Sequence, residues 1–376
     1  MIKEIIKQML KVFWVFPIKT NRIVFRSTHG TKYNCNPKYI SEYLQDNYPE
    51  KFEIFWLFDK NSIEEHKYLE EKGVKILDQK SLKGLMIIMT ARFLIDNHGI
   101  MSYIPTRKKQ IIINTWHGSG SYKKEYVSST REHKKYMSMM YHNTTAFISS
   151  CARFSKCNLS VVYKSNPEKI LEIGTPRNDI FFIDGDKIKN KVKSSLGIPK
   201  EKKIVLYAPT FRYDIKTDIY MLDAEKICSA CSEKFDGDFV FAVRFHPFIE
   251  GLYRRLNTDN IVYTNKYEDM QELLIAADVL ITDYSSCMWD ASLKYMPCFI
   301  YAADLSYYKK SRDFYTPIED WPFPLAESQN SLCENIECFD QNKYILDVKH
   351  HHQELGSFEK GTARKAVANY INENAE

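Results

Sequence analysis

The stretch that most constrains the fold is 278–315, DVLITDYSSCMWDASLKYMPCFIYAADLSYYKKSRDFY. Val279, Leu280 and Ile281 form an apolar run without alternation, the pattern of a strand buried on both faces of a parallel sheet, and the run stops at Thr282 and Asp283. Ser285 and Ser286 then open a segment whose apolar residues, Met288, Trp289, Ala291 and Leu293, suit a helix. The first amides of such a helix have no partner within it, and a strand end feeding a hydroxyl-rich helix start is an anion site. Pro297 and a second apolar run at 298–301 complete a βαβ crossover with its loop on the ligand side. Taken alone, a helix cap at Ser285 and a turn residue at Asp283 is the plainer reading. However, His117 in NTWHGSGSYKK and His246 in VRFHPF also end apolar runs. Polar strand ends of this kind converge readily on one cleft.

At 376 residues the chain exceeds one ordinary core and suits two domains of roughly 150 to 200 residues. The 53 basic against 48 acidic residues leave a net charge of only +5, which argues against a nucleic-acid binder dependent on a dense basic surface. The nine cysteines, odd in number and irregularly spaced without a signal peptide, read as reduced thiols of the cytoplasm. Cys228 and Cys231 form a lone CxxC without zinc-finger spacing to Cys333 and Cys338.

No run approaches the ~20 apolar residues of a membrane span. At the N-terminus, Ile2, Ile5, Ile6, Met9, Phe13 and Phe16 recur at helical spacing while Lys3, Lys7 and Lys11 mark another face. Residues 1–17 are therefore expected to form an amphipathic helix that either lies in a membrane interface or packs on its own domain.

Further along, strands are expected at 23–25, 54–58, 74–77, 93–95, 111–114 and 146–149, with helices near 37, 63–71, 82–91 and 153–163 between them. After the surface stretch that begins at GTPRNDIFF, 174–182, come strands at 204–207, 239–243 and 261–263 and helices at 224–233 and 268–277. This alternation predicts an α/β protein with two Rossmann-like parallel-sheet domains. The expected division is 1–17 as the membrane-associating helix, 18–175 and 176–355 as the two domains, and 356–376 as a terminal helix packing across the hinge. The region 317–353 carries little pattern, and the adjacent His350, His351 and His352 read as solvent-exposed.

TDYSS with the downstream YxxDLxxYxxxRxFY pattern, together with TWHG, YAPTFR and RFHP, resembles the CDP-glycerol glycerophosphotransferase family of teichoic acid and capsule synthesis. The resemblance runs from about Asn21 to the GTARKAVANYI segment, and the motifs occur in the family's order. It implies a GT-B type enzyme whose two domains face a cleft. The implied reaction moves glycerol phosphate from CDP-glycerol to a hydroxyl of a lipid-linked saccharide or polyol-phosphate acceptor and releases CMP, at the cytoplasmic face of the membrane. CDP-ribitol as donor, or a sugar nucleotide on the same scaffold, is the alternative. This chain reads WHGSGSYKK where better-known members read close to WHGTPLK, so the acceptor is left open.

In that scheme the acceptor hydroxyl attacks the β-phosphorus, and positioning and charge stabilisation carry most of the catalysis. His117, beside Gly118 and Gly120, is the expected general base, since an imidazole accepts a proton near neutral pH. His246, after the strand at 239–243, is expected with Arg244 to hold phosphoryl oxygens and assist departure of CMP. Thr210 and Arg212 of YAPTFR, the Thr282, Asp283, Ser285 and Ser286 loop, and Arg312 of SRDFY complete the expected donor site, with Gly118 beside the base. Arg177 and Asp179 match the family pattern and read either as a structural ion pair or as substrate contacts. Lys123 and Lys124 read either as a solvated helix start, the plainer reading, or as residues facing an anionic acceptor. No metal constellation is expected; the DGD triplets at 184–186 and 236–238 lie in charged loops, and any Mg²⁺ would accompany the diphosphate.

Overall fold

The structure, a computed structural model, describes residues 2–124, 143–210, 220–245, 261–311 and 313–375. The chain divides into two compact units, the first made of Met1–His117, Val127–Asp179 and Phe358–Glu376, the second of Gly118–Tyr126 and Ile180–Ser357.

In the first unit, β1 (Lys19–Arg26), β2 (Glu53–Phe58), β3 (Lys75–Asp78), β4 (Ala91–Asp96), β5 (Ile111–Asn114), β6 (Ala146–Ile148) and β7 (Ile170–Leu171) form a seven-stranded sheet in the order β3-β2-β1-β4-β5-β6-β7. Every pairing in it is parallel. The apolar runs do not alternate because both faces of this sheet are covered. Ile23, Phe25, Trp56, Phe93, Ile95 and Ile113 point to one core with Ile40 and Leu44 of the helix Cys35–Asn47. Their neighbours Val24, Phe55, Leu57, Leu94 and Ile112 point to the other with Ile87 and Ile88 of the helix Leu82–Thr90.

The second unit repeats the design with β8 (Lys203–Ala208), β9 (Phe239–Val243), β10 (Ile261–Tyr263), β11 (Val279–Thr282), β12 (Cys298–Tyr301) and β13 (Leu325–Ala326), ordered β10-β9-β8-β11-β12-β13. Its pairings are again parallel. Both units are Rossmann-like domains of the GT-B type. In each sheet the strand order reverses once beside the first strand, at β1/β4 and at β8/β11, and such a switch point opens a crevice at the carboxyl ends of the strands.

The termini belong to the first unit. The helix Ile2–Leu10 and the tight turn of helix Lys11–Val15 set Ile6, Leu10 and Phe13 against the core that contains Ile87 and Ile88. Ile5, Met9, Val12, Val15 and Phe16 remain exposed on the same segment. The helix Ala363–Glu373 buries Val367, Ala368 and Ile371 in the opposite core.

The region with little sequence pattern is ordered, with helices Gln329–Glu337 and Gln341–Glu354. The three adjacent histidines are not all exposed. His351 is buried, its ring 5.6 Å from that of Tyr122, and His352 lies 4.1 Å from the Trp289 ring with Nε2 2.7 Å from Ser292 Oγ. Only His350 faces solvent, because a helix turns successive residues by about 100° and this helix is covered on one side.

Candidate active site

In the first unit, the carboxyl ends of β1, β4 and β5 each carry a histidine in the loop that follows: His29, His98 and His117. The rings form a run, with centroids 4.3 Å apart for His29 and His98 and 4.2 Å for His98 and His117, the latter pair inclined by only 7°. Under them the last residues of β1 and β4, Arg26 and Asp96, are paired in register and joined by a buried ion pair. Asp96 also accepts from the His98 amide at 2.6 Å, so the switch point is braced before the histidines begin.

Asn97 then holds two of the rings. Its carbonyl accepts a hydrogen bond from His117 Nδ1 at 2.9 Å, and its side-chain oxygen lies 2.8 Å from His98 Nδ1. A carbonyl can only accept, so neutral His117 carries its proton on Nδ1 and keeps the lone pair on Nε2. That is the tautomer a general base at Nε2 requires. Burial, then the charges of His117, His29 and Arg26, push His98 down to about 2, so its ring is neutral throughout the physiological range. Burial and the Arg26 charge lower His29 as well.

The turn that presents His117 is held from behind. Trp116 has φ +54°, a left-handed conformation that an aromatic residue adopts at a cost of ~1–3 kcal/mol. Its amide donates to Asn114 Oδ1 at 3.0 Å and its carbonyl accepts from Asn36 Nδ2 at 3.1 Å. Asn36 Oδ1 accepts in turn from the Arg177 amide, and Arg177 Nη1 donates to the His117 carbonyl at 2.7 Å. Arg177 therefore grips the main chain of the histidine. Its neighbour Asp179 accepts from the amides of Ala363 and Arg364 and from Arg364 Nε, so the two motif residues do not form an ion pair with each other.

In the second unit, the switch point between β8 and β11 is closed by Asp283. Its buried carboxylate accepts from the Thr210 amide, from the Thr210 hydroxyl and from the Tyr284 amide. Thr282 Oγ1 donates to the Ala208 carbonyl at 2.7 Å. Thr210, Thr282 and Asp283 are thus brought together, and their side-chain bonds tie adjacent strand ends. Ser285 Oγ accepts from the Cys287 amide at the start of the helix Cys287–Ser292, with Ser286 half-buried beside it.

Gly118 begins a segment that belongs to the second unit. Two residues on, Gly120 (φ +80°) approaches Trp289 so closely that a Cβ would lie 2.8 Å from Cε3 of that ring. The absence of a side chain at Gly120 is what admits the indole. The segment runs on through Tyr122, packed against Trp321, to Lys123, which forms an isolated antiparallel bridge with Phe314, and Lys124, which pairs with Asp313.

Arg244 follows β9, and its guanidinium donates to the carbonyls of Thr264, Tyr267 and Glu268, bracing the loop after β10. His246, Arg212 and Arg312 lie outside the described residues. Among the described residues, no group of three or more His, Cys, Asp and Glu side chains could hold a metal ion.

Sequence reasoning did not single out His98 or Asn97. The signal was present, because RFLIDNH is again an apolar run ending in polar residues, the same cue that marks His117. Which of several strand ends face one another follows from strand order, which periodicity does not contain.

A family model described as CDP-glycerol:poly(glycerophosphate) glycerophosphotransferase matches residues 8–373. The chain is 27% identical over 371 residues to a teichoic acid poly(glycerol phosphate) polymerase of Bacillus subtilis, covering 94% of this chain and 49% of that protein. It therefore spans about half the length of that relative. It is also 27% identical to a teichoic acid glycerol-phosphate transferase of Staphylococcus aureus, covering 99% of this chain and 100% of that one. Relatives named for ribitol phosphate match over much the same span. Among solved structures, the wall teichoic acid polymerase TagF superposes with a TM-score of 0.83 at 24% identity, covering 98% of this chain and 93% of that one, a likeness of fold.

Proposed function

The chain belongs to the CDP-glycerol:poly(glycerophosphate) glycerophosphotransferase family, and from that premise we propose that it transfers glycerol phosphate from CDP-glycerol to a hydroxyl of a lipid-linked or polymeric acceptor in teichoic acid or capsule assembly. The acceptor oxygen attacks the β-phosphorus, its proton passes to His117 Nε2, the bond from that phosphorus to the CMP oxygen breaks, and CMP departs. The observation that carries the reading is the hydrogen bond from His117 Nδ1 to the Asn97 carbonyl, which leaves the basic lone pair on Nε2.

The donor side is assigned to the second unit, where Thr210, Asp283, Ser285 and Ser286 stand at the strand ends flanking the β8/β11 switch point. Asp283 and Thr282 act there by fixing the two strand ends, and Arg244 by fixing the loop after β10. His246, Arg212 and Arg312 are the proposed contacts to the diphosphate, by resemblance. Mg²⁺, where it takes part, travels with the diphosphate. Residence is proposed at the cytoplasmic face of the membrane, supported by the exposed apolar row Ile5, Met9, Val12, Val15 and Phe16 beside Lys7 and Lys11. No helix among the described residues is long and apolar enough to cross a membrane.

Nucleotide release tests the reaction, with CDP-glycerol, CDP-ribitol and UDP-sugars each offered beside a lipid-linked disaccharide. CMP released from CDP-glycerol is the expected result. Release from CDP-ribitol alone would transfer the donor assignment to ribitol, and UDP release would replace phosphotransfer by glycosyl transfer.

A further inference from the structure

We propose that His98 is a positioning residue for phosphoryl transfer: its imidazole lies face to face with His117 and keeps that ring in the plane that directs Nδ1 at the Asn97 carbonyl and Nε2 at the acceptor. The inference rests on the reading of His117 as the base, and adds a residue that acts through it.

The hydrogen bond to the Asn97 carbonyl fixes one direction in the His117 imidazole, and contacts on the ring fix its rotation about that direction. Trp116 lies 4.7 Å away at 27°, and His98 lies closer and more nearly parallel, at 4.2 Å and 7°. His98 is itself anchored, because Nδ1 meets Asn97 Oδ1 at 2.8 Å, and Asn97 is fixed by accepting from the Thr28 amide and donating from Nδ2 to Ser27 Oγ. One residue at the end of β4 thus orients both rings. The charged and titratable groups around His98 are His29, His117, Arg26 and, through its amide, Asp96. Two imidazoles and a guanidinium around a buried ring exclude its protonation. A neutral ring is what the base needs beside it. When His117 takes the proton from the acceptor, it meets a π face and no second positive charge. The rings stack, so their nitrogens do not converge as metal ligands would.

The test compares His98→Ala, His98→Phe and His117→Ala in the full-length protein. Positioning errors of about 1 Å cost up to ~100-fold in rate, so His98→Ala is expected to lower kcat by ~10- to 100-fold with the donor KM within about twofold. His98→Phe restores a planar face and is expected to return within about threefold of the parent kcat. Nitrogen-15 spectra of the imidazoles give a readout independent of turnover. His117 is expected as the Nδ1–H tautomer in the parent and the Phe variant, and as a mixture of tautomers in the Ala variant. Should His98→Ala fail to fold, His98→Leu, which fills the volume without a planar face, replaces it with the same expected loss. Parent kcat and unchanged His117 signals in the Ala or Leu variant overturn the proposal, as does a Phe variant as impaired as Ala. Retained turnover in His117→Ala would instead overturn the base assignment, leaving the spectra to report the ring contact by itself.

Discussion

Replacing Gly120 by alanine tests how the segment after the proposed base is held. The position has φ +80°, and a Cβ would lie 2.4 Å from Tyr122 Cε2 and 2.8 Å from Trp289 Cε3. Neither ring can step aside cheaply. Trp289 is fully buried, and Tyr122 is 5% exposed, shares a 3.1 Å hydrogen bond with His351 Nε2 and packs on Trp321. The left-handed backbone costs alanine ~1–2 kcal/mol and the overpacking another ~1–3 kcal/mol. Together they should destabilise the second unit by roughly 2–5 kcal/mol, a fall of roughly 5–15 °C in its melting temperature for a unit of that size. Scanning calorimetry reads the shift directly. Because Gly120 follows His117 by three residues, kcat at 25 °C should also fall well below the parent value. A melting temperature within 2 °C of the parent would show that the indole contact is not tight and would sink the argument.

Acid should weaken the second unit through His352, whose pKa burial pushes from 6.5 down to about 4. The unfolded chain then takes up the proton first, so stability present above about pH 6.5 is lost as pH falls towards 4. At pH 4.5 this amounts to about 2–3 kcal/mol. His352→Gln should remove that part of the loss between pH 7 and 4.5 in denaturation midpoints, and equal falls in parent and variant would refute it. At the N-terminus, Val12→Glu with Val15→Glu places two carboxylates on the exposed apolar row without touching Leu10 in the core. The double variant should lose co-sedimentation with vesicles of anionic phospholipid while keeping its melting temperature; undiminished sedimentation would move the membrane contact elsewhere.

Much of the fold was legible in the chain. Unalternating runs such as Ile111–Asn114 and Val279–Thr282 imply strands covered on both faces, because only burial on two sides removes the need for polar alternation. The polar residues that end those runs marked His117, Thr210 and Asp283, since a buried strand carries chemistry only where it emerges. The family motifs added which of those ends share a reaction. The helices of 329–354 were not legible, because their buried positions include Tyr344 and His351 among polar neighbours.

What the sequence by itself determined was local: where strands end, which residue types wait there, and the family. Tertiary structure decided partnership. Strand order, set by how crossovers stack on the two faces, brings the ends of β1, β4 and β5 side by side and so sets His98 against His117, residues 19 positions apart in the chain. It likewise turned Asp283 towards Thr210, Arg177 towards the His117 carbonyl, and Gly120 towards Trp289. These are contacts between residues whose separations follow no period, so no reading of spacing along the chain could supply them.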